Sequence, residues 1–135
     1  MTLTYTITRY EELEDKLPII EEYLQRYAWG NHVKIMYSLL EAVNNAFEHG
    51  IDSVEEGRIT ISIKIKESNL YVEVMHNGTG FNYEQKLKLV GDPDVFFEAY
   101  QTCIRGRGIA IMQKLADKLV YTEEGKKLTL IFSLE

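Results

Sequence analysis

Residues 38–50 read Ser38-Leu39-Leu40-Glu41-Ala42-Val43-Asn44-Asn45-Ala46-Phe47-Glu48-His49-Gly50, and on a helical wheel they divide into two arcs. The apolar arc contains Leu39, Leu40, Val43, Ala46 and Phe47, joined by Val33 and Met36 from the preceding turns. The polar arc contains Ser38, Glu41, Asn45, Glu48 and His49. The pattern predicts a half-buried helix, and Gly50, just past its last turn, is predicted to end it.

Glu41 and Asn45 are one helical turn apart on the polar arc, so their side chains point to one place. A carboxylate can accept a proton, and an asparagine carbonyl oxygen can ligate a hard cation such as Mg²⁺. Half-buried helices usually present a solvated face, however. This helix alone therefore favours the simpler interpretation that both side chains meet water.

The chain has 135 residues and a net charge of -6, which suits one domain over residues 1–135. The acidic balance gives no broad footprint for direct contact with nucleic acid or an anionic membrane. A nucleotide site needs only a local positive patch and is not excluded.

Three features that the sequence lacks predict the cellular location. Cys103 is the single cysteine, so no internal disulfide can form, and a reducing, cytoplasmic setting is expected. The N-terminal residues lack the basic region and apolar run of a signal peptide. No apolar run approaches the ~20 residues that a membrane span requires.

The first half of the chain predicts a strand, two helices and a hairpin. Alternation at 3–7 indicates an edge strand, and apolar spacing over 13–27 indicates a helix interrupted near Pro18. Gly30 is a predicted helix stop, and Asn31 a predicted cap for the next helix. Two alternating strands, 58–66 and 70–74, flank a polar turn at 67–69.

Two glycine motifs follow. Gly78 and Gly80 come after the second hairpin strand, where an ordinary tight turn is the more economical interpretation. Arg105-Gly106-Arg107-Gly108 leads directly into apolar helical spacing, namely Ile109, Met112, Leu115, Ala116 and Leu119. Free N–H groups at such a helix start form a physical anion site, to which the arginines add charge. A flexible helix entry with solvated arginines explains the same residues equally well.

Residues 82–104, between the two motifs, are irregular and are predicted to be a lid, a binding loop or an unparsed core segment. The chain closes with a strand near 120–121, a turn at 123–126 and a strand over 128–134. The whole pattern predicts an α+β fold: a two-layer sandwich with a mixed, mostly antiparallel sheet covered on one face by helices.

In this order the motifs resemble the GHKL (Bergerat-fold) superfamily of ATP-binding domains, and most closely its bacterial anti-sigma-factor serine/threonine kinases. Glu41 to Gly50 resembles the N-box of that branch, a pattern of Glu, then Asn-Ala, then His-Gly. Gly78 and Gly80 stand where the first glycine box is expected. Gly106 and Gly108, with Ile111, Met112 and Asp117, resemble the second box and its helix.

The resemblance implies roles for these residues. Glu41 would be the general base for a serine or threonine hydroxyl of a partner protein, and Asn45 would ligate the Mg²⁺ that bridges the ATP phosphates. The backbone from Gly106 to Gly108 would cradle phosphates, and residues 82–104 would be the ATP lid. The cofactor-binding set would be Asn45, His49, His76, Gly78, Gly80, Arg105, Gly106, Arg107 and Gly108.

Two departures from the family pattern concern adenine recognition. The first glycine box normally begins with an aspartate that accepts a hydrogen bond from the adenine amino group, and this chain has His76 there. A neutral imidazole can accept one bond through its unprotonated nitrogen, whereas a protonated His76 cannot, so binding is expected to fail at low pH. The threonine that often follows the glycine opening the last strand is replaced by Lys126.

Two functions follow from the resemblance. The first is an Mg-ATP-dependent protein kinase that binds a sigma factor and phosphorylates a small anti-anti-sigma antagonist, as a homodimer in many relatives. The alternative is a protein-binding regulator on the same fold without ATP turnover, suggested by His76 and Lys126. Metal chemistry through His32, His49 and His76 is not predicted, because the three histidines lack ligand spacing.

Overall fold

The computed structural model describes residues 2–51, 54–80, 84, 87 and 107–135. The elements within these residues are β1 (Thr2–Ile7), α1 (Tyr10–Tyr27), α2 (His32–Asn45), β2 (Ile59–Lys66), β3 (Asn69–His76), α3 (Arg107–Leu115), β4 (Lys118–Thr122) and β5 (Lys127–Ser133). A π-helical turn, Ala46–Ile51, continues α2, and a 3₁₀ turn, Glu123–Gly125, joins β4 to β5. The predicted order of strands and helices is confirmed.

The five strands form one sheet in the order β1-β2-β3-β5-β4. All four described pairings are antiparallel, and β1 lies at an edge, as its short alternating sequence predicts. The predicted β2–β3 hairpin closes through Glu67 and Ser68, both in the left-handed region at φ 53° and 67°. Two successive left-handed residues give a turn whose twist matches that of the flanking strands.

One face of the sheet is apolar and buried beneath the helices, so the predicted two-layer α+β fold is confirmed. Strand residues alternate between this face and the outer one. The buried face is formed by Ile59, Ile61, Ile63, Leu70, Val72, Val74, Leu128, Leu130 and Phe132. The helices contribute Leu13, Ile20, Leu24, Ile35, Leu39, Val43, Ile109 and Met112 to the same core.

The predicted interruption of α1 is absent, because the helix runs through Pro18 to Tyr27. Pro18 lies on the exposed side, where the carbonyl that loses its helical partner can bond water. Asn31 does occupy the N-cap of α2, but its side chain makes no capping hydrogen bond.

Two assignments on the α2 helical wheel are wrong. Val33, placed on the apolar arc, is 69% exposed, and Ser38, placed on the polar arc, is fully buried. The Ser38 hydroxyl donates to the Lys34 carbonyl oxygen at 2.8 Å, so the helix itself satisfies the group that burial removes from water.

Two predicted helix ends are also wrong. The chain remains helical through Gly50, because the π-helical winding carries it on to Ile51. Leu119 belongs to β4, not to the last helix, which ends at Leu115. Asp117 fixes this second boundary: its N–H donates to the Ile131 carbonyl at 2.9 Å, and its carboxylate accepts the Ser133 N–H at 2.7 Å.

Among the residues described, none of the helices is both long and apolar enough to cross a bilayer.

Candidate functional site

The polar arc of α2 faces the first turn of α3 across Gly108. A Cβ placed on Gly108 would lie 3.1 Å from Glu41 Oε2, and 3.4 and 3.5 Å from Asn45 Nδ2 and Oδ1. Glu41 and Asn45 are both half-buried. The carboxylate, the amide and the start of α3 therefore meet at one point, and they can do so because residue 108 has no side chain.

The first turn of α3 gives this meeting point its electrostatic character. The helix begins at Arg107, and the N–H groups of its first four residues have no partner within the helix. With the positive end of the helix dipole they favour an anion. Arg105 and Gly106, also predicted to bind phosphate, lie outside the described residues, as does most of the predicted lid at 82–104.

The Glu41 carboxylate also influences the start of α1. The pKa of Tyr10 is raised, first by burial of its hydroxyl and then by the negative charges of Glu14 and Glu41. The Tyr10 ring packs against Phe47, with 6.0 Å between ring centroids. Glu41 therefore lies close enough to the start of α1 for its negative charge to act on Tyr10.

A second cluster joins the end of the N-box to the first glycine motif. The Thr79 N–H donates to the Gly50 carbonyl oxygen at 2.8 Å. A Cβ on Gly78 would overlap that same carbonyl oxygen, and a Cβ on Gly50 would lie 2.7 Å from the His76 ring. Gly50 and Gly78 are thus needed for close approach, and neither has a positive φ. The sequence shows both glycines, but not that they contact each other.

The imidazole of His76 makes a hydrogen bond within its own turn. Its Nδ1 accepts a hydrogen bond from the Gly78 N–H at 3.1 Å. The pKa of His76 is lowered, first by desolvation and then by the positive charge of Lys126. The expectation that the unprotonated nitrogen is available to a nucleobase is therefore not met, because Gly78 already occupies it.

A backbone hydrogen bond and a close approach at a glycine also join this cluster to the turn between β4 and β5. The His76 N–H donates to the Lys126 carbonyl at 3.0 Å, and a Cβ on Gly80 would overlap the Glu124 carbonyl oxygen.

Asn77 bridges to the segment before β2: its Oδ1 accepts the Arg58 N–H at 2.8 Å, and its Nδ2 donates to the Glu56 carbonyl at 3.1 Å. Sequence reasoning missed Asn77, although an asparagine before a glycine is a recognisable turn signal.

The described contact of His49 is with Glu48, which belongs to neither cluster. Its side chain is exposed, and its Nε2 lies 3.8 Å from the Glu48 carboxylate. A role for His49 in cofactor binding stays a prediction.

A cavity of about 490 Å³ lies elsewhere on the α2–α3 interface, where Val33 and Tyr37 face Ile111 and Leu115. Lys34 and Lys114 also line it, and the described residues around it include no carboxylate or side-chain amide. It lacks the proton acceptor and cation ligand that Glu41 and Asn45 bring together, so the chemistry points to the Gly108 junction.

The donor set at the Gly108 junction fits magnesium bound together with phosphate. No group of three or more His, Cys, Asp or Glu residues suited to a metal occurs in the described parts of the chain. Magnesium does not require one, because it commonly takes one or two protein oxygens and fills its shell with phosphate and water. Asn45 Oδ1, close to a helix start whose N–H groups favour an anion, fits that requirement.

Comparison with known proteins gives a consistent family. A model of the histidine kinase-like ATPase domain matches residues 11–132. The chain is 35% identical over 86 residues to the serine-protein kinase RsbW of Listeria monocytogenes, covering 63% of this chain and 55% of that protein. It is 34% identical over 86 residues to RsbW of Listeria innocua, with the same coverage. The chain thus matches about half the length of these relatives. RsbW of Bacillus velezensis is 22% identical over 125 residues, 83% of this chain and 78% of that protein.

Proposed function

The chain belongs to the family of histidine kinase-like ATPase domains, and we propose that it is an Mg-ATP-dependent serine/threonine protein kinase of the anti-sigma-factor type. The observation that carries the proposal is the close approach of Gly108 to Glu41 and Asn45, where an added Cβ would lie 3.1 Å from the carboxylate and 3.4 Å from the amide. A carboxylate and a side-chain amide close to the start of a helix support a site for a proton acceptor, a cation ligand and phosphate. Relatives that bear the name serine-protein kinase support phosphotransfer as the reaction.

Each residue at the junction has a separate task. The backbone N–H groups of Gly108 and its neighbours hold the phosphates, and Asn45 Oδ1 holds the magnesium. Glu41 accepts the proton of a serine or threonine hydroxyl as that oxygen bonds to the γ-phosphorus and the bond to the β-phosphate breaks. The bound Mg-ATP supplies the transferred phosphoryl group, and the ion offsets the charge on its oxygens.

The proposed partners are a sigma factor, which the protein would sequester, and a small anti-anti-sigma antagonist, which it would phosphorylate. We further propose that the chain acts as one domain in the cytoplasm and as a homodimer. The resemblance of the N-box and second glycine box to anti-sigma-factor kinases supports these points.

Titration calorimetry and a phosphotransfer assay test the proposal together. We expect Mg²⁺-dependent binding of ATP or ADP at millimolar concentration or below. The variant Glu41→Gln should keep the nucleotide affinity within about threefold, yet lose phosphotransfer to an antagonist protein from the same host by roughly a hundredfold or more.

Two outcomes would contradict the proposal. Absence of any nucleotide binding in the presence of Mg²⁺ would remove its premise. Undiminished regulatory activity in Glu41→Gln, with no phosphate on the antagonist from either protein, would instead show a regulator that acts by contact alone.

A further inference from the structure

We propose that His76 presents an N–H donor to the nucleobase, so that the site favours a purine with a carbonyl oxygen at its six-position over adenine. The inference rests on the proposed function, since it concerns the base of the nucleotide whose phosphates lie at the Gly108 junction. It departs from the adenine preference that the family name implies.

The first step is the hydrogen bond within the turn. The Gly78 backbone N–H can only donate, and it points at His76 Nδ1 over 3.1 Å. Nδ1 must therefore carry a lone pair, which places the proton of the neutral ring on Nε2. Protonation of the ring would add a hydrogen at Nδ1 and leave the one at Nε2. Nε2 is thus a donor in both charge states.

The second step is the packing that holds the ring. A Cβ on Gly50 would lie 2.7 Å from both Cε1 and Nε2 of His76, and 2.8 Å from Cδ2. Three nearly equal distances mean that Gly50 covers the face of the ring and leaves its edge uncovered by that contact. A ring flip would bring a carbon to the Gly78 N–H and lose the bond, so the observed orientation is the favoured one.

The third step is the distance between the proposed phosphate site at Asn45 and the turn that contains His76. Asn45 and Gly50 are five residues apart on one continuous helical segment, which corresponds to roughly 7 Å along its axis. A nucleotide with its phosphates and magnesium at Asn45 can extend its base toward the turn formed by Gly50, His76 and Gly78. His76 is half-buried, so its side chain is not wholly enclosed by the described residues.

The fourth step is donor–acceptor matching. Adenine carries an amino group at its six-position, which would face the Nε2–H as a second donor. Hypoxanthine and guanine carry a carbonyl oxygen there, which accepts. Sites with fixed hydrogen-bonding groups discriminate strongly against a base that leaves those groups unpaired.

ATP and inosine triphosphate (ITP) provide the test, because they differ only at the six-position and the adjacent ring nitrogen. Calorimetry with Mg²⁺ would compare both nucleotides on the unmodified protein and on two isosteric variants. His76→Asp offers one oxygen to the Gly78 N–H and a second acceptor to the base. His76→Asn offers the same first oxygen, but a donor to the base.

We expect the unmodified protein to bind ITP about tenfold more tightly than ATP. His76→Asp should reverse the preference, and His76→Asn should retain it. A thermal melt of each variant controls for folding, and the comparison on the unmodified protein depends on neither variant.

Equal affinities, or a preference of the unmodified protein for ATP, would overturn the inference and leave the proposed function standing. Failure of both nucleotides to bind any of the three proteins would overturn the proposed function and this inference with it.

Discussion

At the scale of single residues, glycines determine which groups meet. Gly108 lets α3 approach Glu41 and Asn45 so closely that an added Cβ would contact both, and Gly50 does the same for the end of the N-box and His76. Neither position needs a glycine for its φ angle. Both positions need a glycine because a side chain would not fit there without displacing its neighbours. The sequence does not reveal this, because it does not show whether another part of the chain packs against a given glycine.

Gly108→Ala should separate function from stability. Alanine is favoured over glycine in a helix by up to about 1 kcal/mol, and the added Cβ meets the movable end of Glu41 at 3.1 Å. We expect the free energy of unfolding in urea to stay within about 1 kcal/mol of the unmodified value. Nucleotide affinity with Mg²⁺ should weaken by about tenfold or more, because Asn45 and Glu41 must move.

The matched control is Ile111→Ala on the same helix, which lines the separate cavity and should leave nucleotide affinity unchanged. Equal nucleotide affinities for Gly108→Ala and the unmodified protein would show that the junction is not where the phosphates bind.

The pH dependence of stability should carry a contribution from His76. Its pKa in the folded protein is lowered by desolvation and by Lys126, so the unfolded chain binds a proton more readily. Stability is therefore intact above the unfolded-state pKa of about 6.5 and decreases as the pH falls below it. Urea unfolding at pH 7.5 and 5.5 should show this decrease.

His76→Asn isolates this contribution, because its Oδ1 can accept the Gly78 N–H but does not titrate. We expect the variant to lose less stability than the unmodified protein between the two pH values. Identical losses would assign the acid sensitivity to other groups.

At the scale of elements, the π-helical turn after α2 and the end of β3 act as one unit. The Gly50 carbonyl accepts the Thr79 N–H at 2.8 Å and leaves no room for a side chain at position 78. The two sequence motifs are therefore joined backbone to backbone. Backbone cannot move aside as the end of a side chain can, so this junction tolerates little change.

Gly78→Ala should accordingly be costly. Its Cβ overlaps the Gly50 carbonyl oxygen, and we expect a loss of at least about 3 kcal/mol in the free energy of unfolding. The matched control is Gly30→Ala, where the Cβ meets open space but φ is +93°, so only backbone strain of about 1–2 kcal/mol applies. Similar losses for the two variants in urea unfolding would contradict the close approach.

At the scale of the whole molecule, periodicity predicts the fold, because β1, β2, β3 and β5 alternate and the described helices each have an apolar stripe. Ile59, Ile61 and Ile63 are buried as their spacing predicts. Residues decided by their surroundings could not be predicted: Ser38 is buried through a bond to its own helix, and Leu119 becomes a strand residue once Asp117 binds β5. The pairing of Glu41 with Asn45 follows from helical spacing, whereas their contact with Gly108 depends on how α3 docks.

The whole fold should respond to nucleotide through Asn45. A ligand that binds only the folded state stabilises it by about 2.7 kcal/mol at a concentration one hundredfold above its Kd. For a chain of this size that corresponds to roughly 10 °C in Tm. We therefore expect a thermal melt with Mg²⁺ and the tighter of ATP and ITP to show a shift of this order, which EDTA should largely abolish.

Asn45→Ala should show little shift at the same concentrations, because the magnesium loses its protein oxygen, whereas exposed Val33→Ala should respond like the unmodified protein. A full shift in Asn45→Ala would place the magnesium elsewhere and separate the α2 polar arc from nucleotide binding.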